Sequence, residues 1–361
     1  MSRRLLVGQG TRKLFLYGVR FDQLLIFGTV GLALLLGALA STSPAMFVAV
    51  VLVDIWLFAS PHVIATYTRI GFDKAHIKKH RFLIFCLPPI VLVLVTMVAL
   101  AYELGGLFTL YFITLTYHIT RQSFGISRAF RRIDPQAVGH DRLSEGLVYL
   151  FPLWGLLHRC ATAPDSFYGY PIHLPSVPSA LSDATGIAAV IACTWWGYRQ
   201  IWLWISGRLY AGHSLFVASH LLVTGISYLW VTDITSGWLI VNIWHNLQYL
   251  LFVWLQNVRR DTQPLNEPNK RLIDSQNLQC LTSPLKNAGK YLIVCLILGA
   301  VMYEALTLAG QQLIWLGLPT VFILHFTVNF HHYLVDGLIW KRHKSEIRRP
   351  GSIPSLKRFR L

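Results

Sequence analysis

The sequence predicts an all-α fold, a polytopic integral membrane helix bundle of about ten transmembrane helices with both termini on the cytoplasmic side. Three observations lead there. The 361 residues are 54% hydrophobic and 13% charged, with a mean hydropathy of +0.49, which is the composition of multi-pass membrane proteins rather than soluble enzymes. Ten apolar runs approach or exceed the roughly 18 residues that a helix needs to cross the hydrocarbon core. The Lys and Arg residues behind the formal charge of +16 fall into alternate loops, as the positive-inside rule requires.

The first run, 22–40, follows a basic stretch from Arg3 to Arg20. Its ending, GALAST, also resembles a cleavable export signal, whose removal would leave the remaining topology unchanged. Runs 44–67 and 82–102 are joined by the basic segment 69–81, and runs 107–124 and 143–158 by Arg121 to Arg142. The loop 161–183 is nearly free of positive charge and belongs outside. Runs 184–205 and 213–231 meet at a short turn with Arg208. Runs 236–255 and 288–308 flank a polar cytoplasmic loop, 258–287, that contains Pro264 and Pro268. The last run, 313–340, leads into a basic cytoplasmic tail, 341–361.

The chain therefore reads as one transmembrane domain, 1–361, in a bacterial-type inner (cytoplasmic) membrane with membrane lipids as partners. No nucleic-acid partner is expected, because no basic stretch carries a recognition motif. The five cysteines are scattered and include no Cys-x-x-Cys pair, so neither a disulfide framework nor a zinc ribbon is indicated.

Of fourteen histidines, His62, His118, His220, His245, His325, His331 and His332 fall inside apolar runs. A bilayer penalises every polar ring that lacks a partner, so intramembrane ionisable residues point to function. Counting from the basic ends places His62 and His118 near the cytoplasmic ends of the second and fourth spans, and His220 and His332 about two turns deep in the seventh and tenth. His245 and His325 lie nearer the midplane. Five helices thus bring imidazole to one leaflet. In the last run His325, Asn329, His332 and Asp336 follow at intervals of four, three and four residues, which makes one helical stripe.

Imidazoles with one carboxylate form the donor set of a metal site. The expected ligands are His62, His118, His220, His245, His325, His331, His332 and Asp336, with Asp54 as a second carboxylate candidate. His331 and His332 point about 100° apart on a helix, so one of the pair is structural. The donor set suits non-haem iron (Fe2+), and zinc or copper less specifically. Thr66, Arg69, Gln122, Asn242, Gln248 and Tyr249 sit at helical spacing from the histidines, where they would orient the ligating rings. Tyr249 and Arg121 are the candidate catalytic side chains. Arg69 and Arg121 also serve as topology anchors under the positive-inside rule. His213 sits at a span end and reads as structural, His76 and His80 as one face of a solvated basic helix, and His140, His158, His173 and His343 as loop or span-end residues.

The stretch IWHNLQY around His245, a histidine near the end of an early span and the general layout resemble the bacterial Brp/Blh-type beta-carotene dioxygenases. The resemblance covers about half of the chain. It implies a polytopic, membrane-embedded dioxygenase with histidine-coordinated iron and a carotenoid or similar substrate. The chain departs from that family in lacking its early His-Gly motif followed by Asp, and in placing Tyr249 where a second histidine is expected. Membrane desaturases and hydroxylases, by contrast, need repeated His-x-x-His-His boxes, and this chain has one adjacent pair.

The leading expectation is an integral-membrane, histidine-coordinated metal enzyme, an oxygenase or oxidoreductase acting on a lipophilic substrate such as a lipid or carotenoid, with room for an external electron donor. The alternatives are a transporter of protons or metal ions lined by intramembrane histidines, and a zinc-dependent lipid headgroup hydrolase or transferase. A b-type haem electron carrier would need only two of the histidines.

Overall fold

The computed structural model describes residues 16–71, 74–134, 140–262 and 287–339. Most of the loop 258–287, the tail 341–361, the basic amino-terminal stretch to residue 15 and the side chain of His76 lie outside the described residues. Helices dominate the rest. They are α1 (Val19–Ala40), α2 (Pro44–Ile70), the short α3 (Lys74–Lys79), α4 (Phe82–Ile133), α5 (Arg142–Thr162), α6 (Ser179–Ile205), α7 (Ala211–Gly225, continued by a π turn, Ile226–Trp230), α8 (Ile234–Thr262), α9 (Ala288–Gln312) and α10 (Thr320–Ile339). Among the described residues α1, α2, α4 and α9 are long and apolar enough to cross a membrane. The other long helices coincide with the remaining predicted runs but carry more polar residues.

Local chemistry sets the helix ends. Ser43 caps α2 by accepting from the Met46 amide at 3.2 Å, with Pro44 in the first turn, where its missing N–H costs nothing. Asp141 caps α5 through the Ser144 amide, and Asn287 caps α9 through the Lys290 amide. The predicted spans 82–102 and 107–124 are two helices that meet at a kink at Glu103, whose φ of 54° and ψ of −155° lie outside helical geometry, and α4 denotes the pair. In α2 the segment Asp54–Ala59 is a π turn. It precedes Pro61, whose ring cannot sit in an unperturbed helix, and so it carries α2 past the proline directly ahead of His62.

One element departs from the all-α expectation. Ser166–Phe167 and Tyr170–Pro171 pair as an antiparallel hairpin across Tyr168 and Gly169, both at positive φ, as a tight two-residue hairpin loop requires. The buried Phe167 plugs the bundle end, with ring centroids 5.5 Å from both Phe112 and Trp238.

The outside of the bundle is apolar, with Val93, Leu94, Met97, Leu100, Ile187, Val190, Ile191, Ile297 and Val301 all exposed. The interior holds buried polar residues, including Asp54, His62, His118, Asn242, His245, Asn246, Gln248 and Asp336. This reverses the soluble pattern and matches a helix bundle whose solvent is hydrocarbon. Helix α8 lies at the centre, against α1, α2, α4 and α7, while α10 packs on α2, α4 and α9. Gly299 lets α9 approach closely, because a Cβ there would stand 3.0 Å from the Ser60 carbonyl carbon, beside His62. Helices α2, α4, α8 and α10 form a ring, α8 and α10 each packing on both α2 and α4, around a shared interior space.

Candidate metal centre

Each of those four helices contributes one buried imidazole: His62 from α2, His118 from α4, His245 from α8 and His332 from α10. Ring centroids are 4.7 Å apart for His62 and His245, 4.7 Å for His62 and His332, 5.0 Å for His118 and His245, and 4.8 Å for His118 and His332. The Nε2 atoms of His62 and His332 face each other at 2.8 Å. Potential ligand atoms of His62, His118 and His245 lie within 4.8 Å of one another, as do those of His118, His332 and Asp336. His118 belongs to both groupings.

Hydrogen bonding leaves the cluster incomplete. His118 Nε2, His245 Nε2, His62 Nδ1 and His332 Nδ1 are buried without a partner. Each such atom costs about 1–3 kcal/mol when nothing replaces its water. His118 and His245 are thus the rings with an open Nε2, while His62 and His332 turn their Nε2 atoms to each other. Asp336 is different, for its Oδ1 accepts from Tyr249 Oη at 2.5 Å and from Thr66 Oγ1 at 2.7 Å, and the two hydroxyls also touch at 2.7 Å. Asp336 Oδ2 lies 4.0 Å from His332 Nε2, one helical turn away. Tyr333 stacks on His118 at 4.3 Å between centroids and 25° between planes, and the Tyr249 ring lies 4.5 Å from that of His62. The residues present therefore fit a cation that takes imidazole nitrogens and one carboxylate.

The other expected ligands stand elsewhere. The His220 Nε2–H donates to the Val148 carbonyl at 3.0 Å, which turns its ring to α5. His325 is within 3.1 Å of Thr307 Oγ1 on α9, and Asn329 accepts from Tyr303 Oη at 2.7 Å, so the upper half of the α10 stripe serves the α9 contact. His331 bridges the Leu83 carbonyl at 2.6 Å and Tyr67 Oη at 3.0 Å, which separates it from the cluster and leaves His332 as the member of the pair that reaches it. Asp54 accepts from Asn242 and Asn246 at 2.6 and 3.2 Å, pinning α2 to α8. Arg121 donates to Tyr149 Oη at 2.6 Å and lies over the Phe124 ring, toward α5.

The hydrogen-bonding companions named from spacing are present, with different partners. Thr66 and Tyr249 hold the carboxylate rather than an imidazole. Gln122 donates to the His245 carbonyl at 3.3 Å, and Gln248 to that of Leu25 at 3.3 Å. The Tyr333 stack escaped sequence reasoning, although its place directly after His332 was a usable signal. A cleft of about 320 Å³ is lined by Tyr67, Ile84, Pro88, Thr327, Val328 and His331, none of them a member of the cluster. Two of these residues, Tyr67 and His331, are chain neighbours of Thr66 and His332.

Comparison with known protein families, with curated proteins and with solved structures returned no match. The functional reading rests on the site alone.

Proposed function

We propose that this chain is a multi-pass membrane metalloenzyme in which His62, His118, His245 and His332 hold a non-haem iron ion, with Asp336 as the carboxylate donor, and that it acts as an oxygenase or oxidoreductase on a lipophilic substrate. The observation that carries the reading is the convergence of four buried imidazoles from four helices, with Nε2 unpartnered on His118 and His245, beside one braced carboxylate. The 2.8 Å between His62 Nε2 and His332 Nε2 brings both nitrogens to one point of the cluster, and a set of imidazoles with one carboxylate is the donor set that suits non-haem iron. Neither ligand grouping includes cysteine, in keeping with that choice.

Bound there, iron supplies one-electron redox chemistry toward dioxygen. The chain's own residues do the rest. Thr66 and Tyr249 fix the Asp336 carboxylate, and the Tyr249 hydroxyl holds a proton against Asp336 Oδ1. Tyr333 fixes the plane of His118. The apolar cluster that includes Ile64, Leu250 and Val253 keeps water from that side. The cleft lined by Ile84, Pro88 and Val328 suits an apolar substrate entering sideways from the bilayer. Ten spans, cytoplasmic termini and an inner-membrane location complete the proposal.

Metal analysis and optical spectroscopy of detergent-purified protein test it directly. About one iron per chain is expected, without a haem spectrum. Single His→Ala changes at 62, 118, 245 and 332 should abolish iron retention, while His220→Ala and His325→Ala should retain it. Protein that folds but takes up no metal, or that retains it without these four histidines, would overturn the assignment. Reporter fusions at both termini and in the loop 161–183 test the topology.

A further inference from the structure

A second cavity, of about 480 Å³, lies at the far end of α4, between the start of α5, the end of α6 and the start of α7. It is lined by Arg131, Arg142, Arg199 and Arg208, together with His213 and Ser214. From His118 to Arg131 is thirteen residues, or about 20 Å along the helix, so this cavity is separate from the metal centre.

The charge balance is what distinguishes it. Its two carboxylates are already committed: Asp134 Oδ2 to Arg131 Nη1 at 3.0 Å, and Asp141 to Arg199 in a two-pronged pair at 2.9 and 2.5 Å. Arg142 and Arg208 have no carboxylate within bridging distance among the described residues, and Arg131 Nε is buried without a hydrogen-bond partner. Two guanidinium charges therefore remain unneutralised around a concave space, and guanidinium forks match phosphate oxygens in geometry.

The surroundings select the kind of phosphate. The Arg208 guanidinium lies 4.4 Å over the Trp202 ring, and Trp202 continues an exposed face of α6 through Tyr198, Trp195, Ile191 and Ile187 at helical spacing. Tryptophan and tyrosine favour the headgroup level of a bilayer, with aliphatic residues in the acyl region beyond. An anionic cavity ligand that also uses this face needs a phosphodiester attached to acyl chains. We infer that the cavity bounded by Arg131, Arg142 and Arg208 binds the phosphate of an anionic phospholipid, whose chains lie along the Trp202–Ile187 face of α6.

The test uses the full chain, purified in detergent and stripped of lipid, with thermal unfolding followed as lipid or salt is added. Phosphatidylglycerol should raise Tm, whereas phosphatidylcholine and inorganic phosphate at equal concentration should not. Arg142→Gln/Arg208→Gln should need about tenfold more phosphatidylglycerol for the same rise, the loss expected from removing one or two charge-assisted contacts. Both side chains are exposed, so the unliganded Tm should stay the same. Arg142→Lys/Arg208→Lys keeps the charge and should recover part of the response. An equal response to inorganic phosphate would refute the lipid assignment in favour of a free anion. An equal response to phosphatidylcholine, or an undiminished response in the glutamine variant, would refute the site. None of these outcomes depends on iron binding.

Discussion

Replacing Tyr249 by phenylalanine tests how the carboxylate of the proposed metal centre is held. The change keeps the ring, whose centroid lies 4.5 Å from that of His62, and removes only the hydroxyl that donates to Asp336 Oδ1 at 2.5 Å. Groups that orient a metal ligand are worth about 10–100-fold in affinity, or about 1.4–2.7 kcal/mol. Thr66 still donates to the same oxygen at 2.7 Å, so the single variant should fall at the low end, near tenfold. Adding Thr66→Val removes the second brace and should bring the loss toward 100-fold. The assay is competition between a calibrated chelator and iron-loaded protein in detergent. Tyr67→Phe is the control, since Tyr67 bonds His331 outside the cluster and its loss should leave affinity unchanged. Double-variant affinity within about twofold of wild type, alongside loss of metal in His118→Ala, would show that Asp336 is not a ligand held by these hydroxyls.

Three further outcomes follow from the fold. Gly237→Ala would place a Cβ 2.1 Å from the Ser227 carbonyl oxygen, a backbone contact that cannot yield cheaply, so it should cost about 1–3 kcal/mol and lower Tm. Glu103→Gly should raise Tm by relieving a residue at φ 54° and ψ −155°, with about 1 kcal/mol or more available from such strain. At Asp141 burial raises the carboxyl's pKa, but the bonds and charge of Arg199 and the Ser144 contacts outweigh it and hold the group below its usual value. The folded state is therefore stabilised above the ordinary carboxylate range, and that share is lost as pH falls through the lowered value. Thermal melts from about pH 6 to about pH 3 should show a steeper acid limb in wild type than in Asp141→Asn, and identical limbs would contradict the pairing.

Depth and facing entered the site differently. Residue counts from basic loops put histidines of five helices at a similar level, and His62, His118, His245 and His332 do meet. His220 shares that level but turns to the Val148 carbonyl, because rotation about α7 is set by which neighbours pack on it. His325 and Asn329 lie on the predicted α10 stripe, yet a stripe two turns longer than the cavity reaches α9 instead. Spacing along one helix named Thr66 and Tyr249 as companions of histidines. Their common partner, Asp336, is 87 residues beyond Tyr249 and 270 beyond Thr66, a separation that periodicity within one segment does not reach.

By itself the sequence determined the helical character, the apolar exterior, the positions of the helices and the set of polar residues that must find partners inside, because these follow from hydropathy and from the cost of unpaired groups in hydrocarbon. Tertiary packing alone decided which imidazoles share a centre, that Asp336 rather than Asp54 stands beside them, and that Arg121 faces Tyr149. Those choices depend on helix rotation and contact between distant segments. One turn of a helix separates a residue of the cluster from a packing residue, and only the neighbouring helices tell the two apart.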